Sequence, residues 1–390
     1  MAQLYFSRDV KVYVQHEGKM WDIPVLDGFS FSQSTNNVEV TLNEMSNTST
    51  RGRKLFNDSL APAEWSFSTY ARPFKSAGGT GVGVADSVVG NHHAVEEVLW
   101  ALMGGPAAYA SSTFTNQSAP TATEQTINFS KSNVSVLGEA TIWFEFPDTT
   151  NPTIYKMTKG CVNEATMNFD IDGIATIDWS GFASLIEEAT QADLDDALGT
   201  VTLGVTDLAD LINEGTACSV TSNFIRNRLS TVTIVADDTT TFSGDGDNDG
   251  TYNLVLTGGS VTISNNITFL TPSTLGCVNT PLGHVTGTRS VSGSLDCYLN
   301  GATAGDSADF FSDLVGATSV VTNSFAVNLS VGGAASSTNP VVKFTFPTAH
   351  FEIPAHDISD VISLTTAFHG LPSTIGGTDE VVIEYKGVAL

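Results

Sequence analysis

The chain has 390 residues and carries 42 acidic against 16 basic residues, a formal net charge of −26. Such a chain repels phosphates and anionic lipid, which argues against a protein that binds nucleic acid or membranes by charge. Abundant β-branched residues, serine, threonine and glycine, with 22 phenylalanines, predict a mainly β fold of two or three domains.

The amino terminus offers no targeting signal. Residues 1–5 lack an apolar signal core, and no apolar run in the sequence is long enough to cross a bilayer. We therefore expect a protein with no membrane partner that is made and kept in a cytoplasm, or that leaves it inside a larger particle.

Residues 25–73 form the stretch around which the rest of the sequence is organised. Apolar and polar residues alternate over 38–42 and again over 65–70, which predicts two strands. We expect these two strands to form a hairpin whose long connecting loop is a projecting arm, because loops of this length in compact domains are usually functional or disordered.

The same order of elements occurs twice. Asn36-Asn37-Val38 is matched by Asn265-Asn266-Ile267, and two short amphipathic segments that end in glycine, 93–104 and 308–316, predict corresponding helices. Further matches in the same order are 10–14 with 231–235, 65–68 with 291–296, 150–152 with 338–340, 169–171 with 351–353, and 181–182 with 367–368.

Seven matches in one order predict two similar tandem domains, 1–186 and 220–390, joined by an acidic connector at 187–219. Each domain is expected to be a β-sandwich or barrel-forming sheet flanked by one short helix. Part of the connector is a further candidate for helix.

One acidic loop resembles a calcium site. Asp245, Asp247 and Asp249 alternate before Gly250, as in the first half of a calcium loop, but Leu256 stands where the bidentate glutamate belongs. The simpler interpretation is an acidic hairpin turn between strands at 231–235 and 252–257. If calcium does bind, the alternative function is a calcium-binding β-rich surface or adhesion protein.

The sequence contains no recognisable catalytic chemistry. Its four cysteines, Cys161, Cys218, Cys277 and Cys297, show no CxxC spacing, and free thiols are favoured over a disulfide between Cys277 and Cys297. No nucleophile elbow and no HExxH motif is present. We expect no enzyme and no cofactor.

The first arm concentrates positive charge. Arg51, Arg53 and Lys54 place three of the 16 basic residues in one loop. Such a loop is either simply solvated or a contact arm that reaches an acidic surface of another subunit, where charge fixes the register.

The duplication suggests a closed assembly. Two similar β domains can cover their sheet edges by joining head to tail with copies of the chain, and a contact that closes gives a ring whose strands form one barrel. If the original domain made six-membered rings, the duplicated chain needs three copies.

One polar side of each strand would then line the lumen, where acidic or neutral residues let a polyanion slide without sticking. The alternative is that these faces simply meet solvent. The lumen-facing candidates are Glu39, Thr41, Ser66, Ser68, Asn168, Asp170, Thr268, Ser292, Ser294 and Glu352.

Several stretches resemble the major tail tube proteins of T5-like long-tailed bacteriophages. The most specific is RGRKLFNDSL at 51–60, followed by AEWSFSTY at 63–70. The resemblance covers nearly the whole chain. Its other motifs are DWSG at 178–181, GG at 258–259, NNITFLTP at 265–272, TG at 286–287, SGSL at 292–295 and YLN at 298–300.

The resemblance implies a virion protein with duplicated tail-tube domains. Trimeric, pseudo-sixfold rings would stack around a tape-measure protein, DNA would pass through the lumen, and the terminator and tip proteins would cap the tube. Loops 45–63 and 271–290 would be arms between rings, with contact residues Arg51, Arg53, Lys54, Phe56, Asp58, Cys277 and Pro281.

Two points qualify the resemblance. A family member carries an additional carboxy-terminal immunoglobulin-like domain, whereas this sequence ends at Leu390, so we expect no surface-decorating role of such a domain. The tube of a contractile tail or injection machine is the alternative within the same class, and it would need an outer surface that docks a sheath.

Overall fold

The structure is a computed structural model. It describes residues 5–16, 19–40, 53–75, 92–105, 114–115, 124–129, 137–148, 152–199, 224–245, 249–317, 323–334 and 339–387.

The first half of the chain is built mostly of strands. Its elements are β1 (Lys11–His16), β2 (Lys19–Ile23), β3 (Ser30–Ser32), β4 (Thr35–Val40), β5 (Lys54–Leu60), β6 (Ala63–Tyr70), β7 (Pro73–Lys75), β8 (His92–Ala94), α1 (Glu97–Gly104), β9 (Phe114–Thr115), β10 (Glu124–Asn128), β11 (Ala140–Phe146), β12 (Thr153–Asp170), β13 (Thr176–Ala183), β14 (Leu185–Ala189) and α2 (Gln191–Gly199).

The second half of the chain is also built mostly of strands. Its elements are β15 (Thr231–Ala236), β16 (Thr251–Leu254), β17 (Leu256–Ser264), β18 (Thr268–Leu270), β19 (Gly283–Val285), β20 (Ser290–Tyr298), α3 (Ser307–Gly316), β21 (Phe325–Val331), β22 (Val341–Phe351), β23 (Ala355–Asp357), β24 (Ser363–Leu371) and β25 (Val382–Lys386). The predicted mainly β fold is confirmed, as are helices within 93–104 and 308–316 to within a few residues.

One sheet runs through both halves, and we call it the long sheet. Its strands lie in the order β3, β6, β13, β12, β17, β20, β24 and then β22 with β23, all antiparallel. The central contact joins Glu164–Asp170 of β12 to Gly258–Ser264 of β17, so the two halves share this sheet.

Each half also has a shorter sheet. In the first half β2, β1, β11, β12 and β14 pair in that order, and in the second half β16, β15, β21, β22 and β25 do the same. The long strands β12 and β22 belong to both layers, because their first parts pair in the shorter sheet and their last parts in the long sheet.

The core lies between these layers. Phe31 of β3 stacks on Phe144 of β11 with ring centroids 4.5 Å apart. Trp100 of α1 meets Trp179 of β13 at 4.7 Å, and Phe310 of α3 meets Phe351 of β22 at 5.1 Å. The helices α1 and α3 therefore each pack an aromatic residue against the apolar side of the long sheet, which leaves the other side of that sheet outside the core.

The predicted hairpin of 38–42 with 65–70 is wrong. The strand β4 pairs instead with β5, which lies inside the expected loop, and β6 pairs with β3 and β13. Val38 and Val40 are exposed rather than packed in a core, so the apolar periodicity of β4 marks a surface that other groups can cover. No helix in the described ranges is long and apolar enough to span a bilayer.

Candidate functional site

The outward side of the long sheet is a continuous polar face. Buried Trp65 and Phe67 alternate along β6 with half-buried Ser66 and Ser68, and β12, β13 and β20 alternate in the same way. The structure brings together on this face six of the predicted lumen candidates, namely Ser66, Ser68, Asn168, Asp170, Ser292 and Ser294, and Glu352 lies just beyond β22.

Side chains on this polar face bond across the strands. The Ser68 hydroxyl donates to the Asp178 carboxylate at 2.5 Å, and the Asn168 amide donates to the same carboxylate at 3.0 Å. The hydroxyls of Thr166 and Thr262 lie 3.0 Å apart where the two halves meet. These hydrogen bonds hold the side chains of the face in place across neighbouring strands.

Acidic residues dominate the charge of the polar face. The sequence reasoning missed Glu64, Glu164, Asp178 and Asp296, which the strand registers add to it. No lysine or arginine occurs in the strands of the long sheet over the part of each that pairs there. The side chains in these strands that could carry positive charge are histidines. One of them, His369, lies 3.1 Å from the Glu352 carboxylate.

Two other lumen candidates, Glu39 and Thr268, are not on this face. Glu39 belongs to the separate β4–β5 ribbon and Thr268 to the separate β18–β19 ribbon. Thr41 lies outside the described residues. Strand periodicity identified the polar side of β6, β12 and β20, but it does not reveal which other strand each strand pairs with.

Two edges of the long sheet have no further strand among the described residues. At one end β3 pairs with β6 alone. At the other end β22 and β23 pair in the long sheet with β24 alone. Unpaired strand edges are natural joining points between copies of a chain.

Two ribbons extend from one end of the long sheet, and we call them arm 1 (the described residues 35–40 and 53–60) and arm 2 (residues 268–285). They contact each other, because the Leu60 amide donates to the Asn279 carbonyl at 2.8 Å and the Asn279 amide to the Asp58 carbonyl at 3.2 Å. Both arms carry large exposed apolar side chains, namely Val38, Val40, Leu55, Phe56, Leu270, Leu275, Val278 and Leu282.

The predicted contact residues of the arms differ in accessibility. Lys54, Phe56, Asp58 and Cys277 are exposed, and Arg53 is exposed while it forms an ion pair with Glu39 at 3.4 Å. Arg51 lies outside the described residues.

Pro281 is different, because it is buried at the base of arm 2. Its carbonyl accepts a hydrogen bond from the Ser184 hydroxyl at 2.5 Å. Pro281 therefore anchors the arm to β13 and its surroundings, and it does not present its ring to solvent.

The acidic loop shows no assembled calcium site in its described part. Asp245 and Asp249 are exposed, Asp247 lies outside the described residues, and no group of three potential ligands occurs among the residues that the structure describes. The Asp249 carboxylate instead accepts from the Thr251 amide at 2.8 Å, a contact that lowers the Asp249 pKa. The loop joins β15 to β16, which pair as a hairpin.

Cys277 and Cys297 are free thiols. Cys277 is exposed on arm 2, whereas Cys297 is buried in β20, where burial raises the pKa of its thiol to about 11. A buried thiol of this kind is unreactive. Cys161 is also free and buried, and Cys218 lies outside the described residues.

Comparison with known proteins assigns the class. No family model matches the chain. The chain is 31% identical over 361 residues to a phage structural protein, and the alignment spans 92% of this chain and 69% of that protein.

That relative is tail tube protein pb6 of Escherichia phage T5. The chain belongs to the family of T5-like tail tube proteins and is a virion structural protein of mainly β fold. The resemblance noted in the sequence is thereby confirmed.

Proposed function

We propose that this protein forms the tail tube of a long-tailed phage. In this proposal three chains close into a pseudo-sixfold ring, the rings stack, and the lumen conducts DNA at ejection without specific binding. The observation that carries the proposal is that the long sheet is shared by both halves of the chain and that, among the described residues, each half has one edge of this sheet without a further strand.

The recurrence of strand pairings supports a duplicated domain, with domains at 1–186 and 220–390. Eight pairings of the first half have a counterpart in the second half in the same chain order. They are β1–β2 with β15–β16, β1–β11 with β15–β21, β11–β12 with β21–β22, β12–β14 with β22–β25, β3–β6 with β17–β20, β6–β13 with β20–β24, β12–β13 with β22–β24, and β4–β5 with β18–β19.

The same correspondence gives a register for ring closure. Within the chain, Thr166 of β12 pairs with Thr262 of β17. When Gly181 of β13 is equated with Gly370 of β24, the registers make Glu352 after β22 and Ser30 of β3 the equivalent positions. The edge at 349–353 of one chain would therefore pair with β3 of the next, with the polar faces on one side.

The size of such a barrel favours three chains. Each chain contributes eight strand positions to the long sheet, so three chains supply 24. At about 4.8 Å per strand and with the tilt of roughly 40° that closure requires, the barrel is about 48 Å across, and side chains of about 5 Å on each wall leave a lumen of roughly 38 Å, wide enough for a DNA duplex. A ring of two chains would leave about half that width.

The polar face suits passage of a polyanion. Its carboxylates and hydroxyls, without lysine or arginine in the strands, offer DNA no cationic contacts that would release counterions and hold it. We infer that the tape-measure protein occupies the lumen before DNA does, that terminator and tip proteins cap the ends, and that assembly takes place in the host cytoplasm. The protein has no catalytic role in this proposal.

The test is direct. Native mass spectrometry of the purified protein should show three-chain rings, and negative-stain microscopy should show hollow tubes or stacked rings. Rings of two or four chains would contradict the proposed stoichiometry. A persistent monomer that forms neither rings nor tubes at high concentration would overturn the proposal.

A further inference from the structure

The long sheet has two ends with different surfaces. Arms 1 and 2 leave it where Ser32, Glu64, Ser264 and Ser290 lie, and we call this the arm end. The nine-residue strand β20 runs from Ser290 at the arm end to Tyr298 at the opposite end, a distance of about 26 Å at roughly 3.3 Å per residue. The opposite end, which we call the turn end, carries the connections between β12 and β13 and between β22 and β24.

At the turn end the two halves differ. In the first half, the segment that leaves the connector covers the turn, since the Ala175 amide donates to the Ile225 carbonyl at 3.0 Å and the Asn227 amide to the Gly173 carbonyl at 3.1 Å. In the second half the connection is longer, and no segment of the described chain covers it in this way. Ile358 there is 80% exposed.

Other exposed apolar side chains occur in the same connection and at the adjoining end of β20. The Leu299 amide donates to the Ile362 carbonyl at 2.9 Å, which holds the end of β20 against this connection. Together these side chains form a surface that we call the turn-end patch, made of Tyr298, Leu299, Ile358, Val361 and Ile362.

The turn-end patch is acidic at its border. Glu352, Asp357 and Asp360 are exposed, and residues 352–362 contain no lysine or arginine. Arm 1 has the complementary character. Its Leu55 and Phe56 are 56% and 57% exposed and directly follow Arg53 and Lys54. An apolar pair preceded by two cations matches an apolar surface bordered by carboxylates.

We propose that arm 1 of one ring docks on the turn-end patch of the second half of a chain in the adjoining ring. This inference rests on the proposed tube function and names the partner surface of its arm. Arm 1 and the turn-end patch lie at opposite ends of the long sheet of one chain, so the contact between rings is head to tail. A head-to-tail contact that does not close repeats without limit and gives a filament.

A second copy of the chain is the occupant that the surfaces favour. Both members of the contact are present on one molecule, with opposite charge and with apolar side chains on each side. A terminator or tip protein would need to supply its own apolar and cationic surface. It would also be required once per tail, whereas every ring exposes the patch.

A charge swap tests the contact. The variant Arg53→Glu/Lys54→Glu should stack poorly, and so should Asp357→Lys/Asp360→Lys, each needing roughly tenfold more protein to form tubes. The four substitutions combined should restore stacking toward the wild-type concentration. Tube length by negative-stain microscopy and ring size by native mass spectrometry are measured on the same samples.

A second pair of variants tests the apolar side chains of the turn-end patch against a control. Ile358→Ser with Val361→Ser should shorten the tubes, whereas Val315→Ser, an exposed apolar residue on α3, should leave tube length unchanged. Rings of normal size in every variant, with stacking lost in the single-sided variants alone, support the inference.

Failure of the inference differs from failure of the proposed function. If all variants, including the single-sided charge reversals, form tubes of wild-type length at wild-type concentration, arm 1 does not use this patch while the tube function stands. If stacking is lost but the combined swap restores nothing, the pairing of these two surfaces is overturned. If wild-type protein forms no ring, the tube proposal itself fails.

Discussion

Gly181 lies in the middle of β13, where a side chain would have no room. It pairs with Trp65 of β6 and Val162 of β12. A methyl group at Gly181 would lie 2.0 Å from the Cys161 carbonyl oxygen and 2.6 Å from the Trp65 indole. This glycine therefore allows the three strands to approach closely and the Trp65 ring to pack flat against β13.

We expect Gly181→Ala to destabilise the fold by about 3 kcal/mol, because strands bonded to each other must separate to admit the methyl group. Guanidinium unfolding monitored by tryptophan fluorescence measures the change. The control is Gly316→Ala at the end of α3, where nothing lies within 4 Å of the added carbon, and it should be close to neutral. Equal stability of the two variants would contradict the argument.

Glu96 is a second residue on which much depends. It is fully buried just before α1, where the Tyr385 hydroxyl of β25 donates to its carboxylate and the Trp100 indole donates to Tyr385 at 2.8 Å. Burial raises the pKa of Glu96 to about 7, although the bond from Tyr385 and the charge of Arg72 oppose the rise. This chain of bonds fastens α1 of the first half to the last strand of the second.

The Glu96 pKa predicts how stability depends on pH. The folded chain holds the Glu96 proton more tightly than the unfolded chain, whose glutamate has a pKa near 4.5. The protonated carboxyl group therefore adds its full stabilisation to the unfolding free energy below pH 4.5, and this stabilisation is lost as the pH rises through about 7. Glu96→Gln cannot titrate. Relative to this variant, the wild-type protein should lose roughly 2 kcal/mol of unfolding free energy between pH 5 and pH 8.

The measurement is chemical unfolding of both proteins at several pH values across that range. Parallel stability curves for wild type and Glu96→Gln would show that Glu96 does not titrate there. Tyr385→Phe serves as a companion variant. It leaves two buried polar groups without this partner and should cost about 1–3 kcal/mol. The cost should be larger above pH 7 than at pH 5, because the Tyr385 hydroxyl favours the ionised form of Glu96.

At the scale of elements, the arms show why sequence patterns found some features and missed others. The alternation in β6 and β20 correctly identified the buried and polar sides of the long sheet. The same alternation in β4 suggested a core strand, yet Val38 and Val40 are exposed. Strand residues that another molecule covers have the same apolar periodicity as strand residues in a core. A single sequence therefore does not distinguish the two cases.

The position of Gly181 and the bond between Glu96 and Tyr385 could not be predicted for a related reason. The two members of that bond are 289 positions apart in the sequence. No local pattern relates them, and the contact appears only once β10 pairs with β25.

Ring closure makes a prediction at the scale of strands. With Cys277→Ser to remove the exposed thiol, the pair Ser30→Cys and Glu352→Cys should form disulfides between chains on oxidation, because these positions correspond to Thr166 and Thr262, whose hydroxyls lie 3.0 Å apart. The product should be a crosslinked three-chain species on denaturing gels.

Each single cysteine variant is the control and should give no such species. A disulfide within one chain, or no crosslink in protein that forms rings by native mass spectrometry, would contradict the proposed register. Crosslinks in the double variant alone would support it.

For the whole molecule, composition and repeats carried much of the prediction. The net charge of −26 indicated a chain that does not hold nucleic acid, and the strands of the long sheet carry carboxylates without lysine or arginine on their polar face. The order of matched elements predicted two similar halves. Some residue matches shift by one to three positions in the strand registers, because Val12 and Val232 occupy equivalent places, as do Gly181 and Gly370.

The pairing of β10 with β25 has a mechanical consequence. Within a chain, the two halves are joined through the long sheet, through β10 and through the covalent connector. Between chains, the proposed junction has the long sheet alone, since the described residues between α3 and β21 form no strand equivalent to β10. A loaded ring would then have strong and weak seams in alternation, and a tube under internal pressure would begin to tear at every second one.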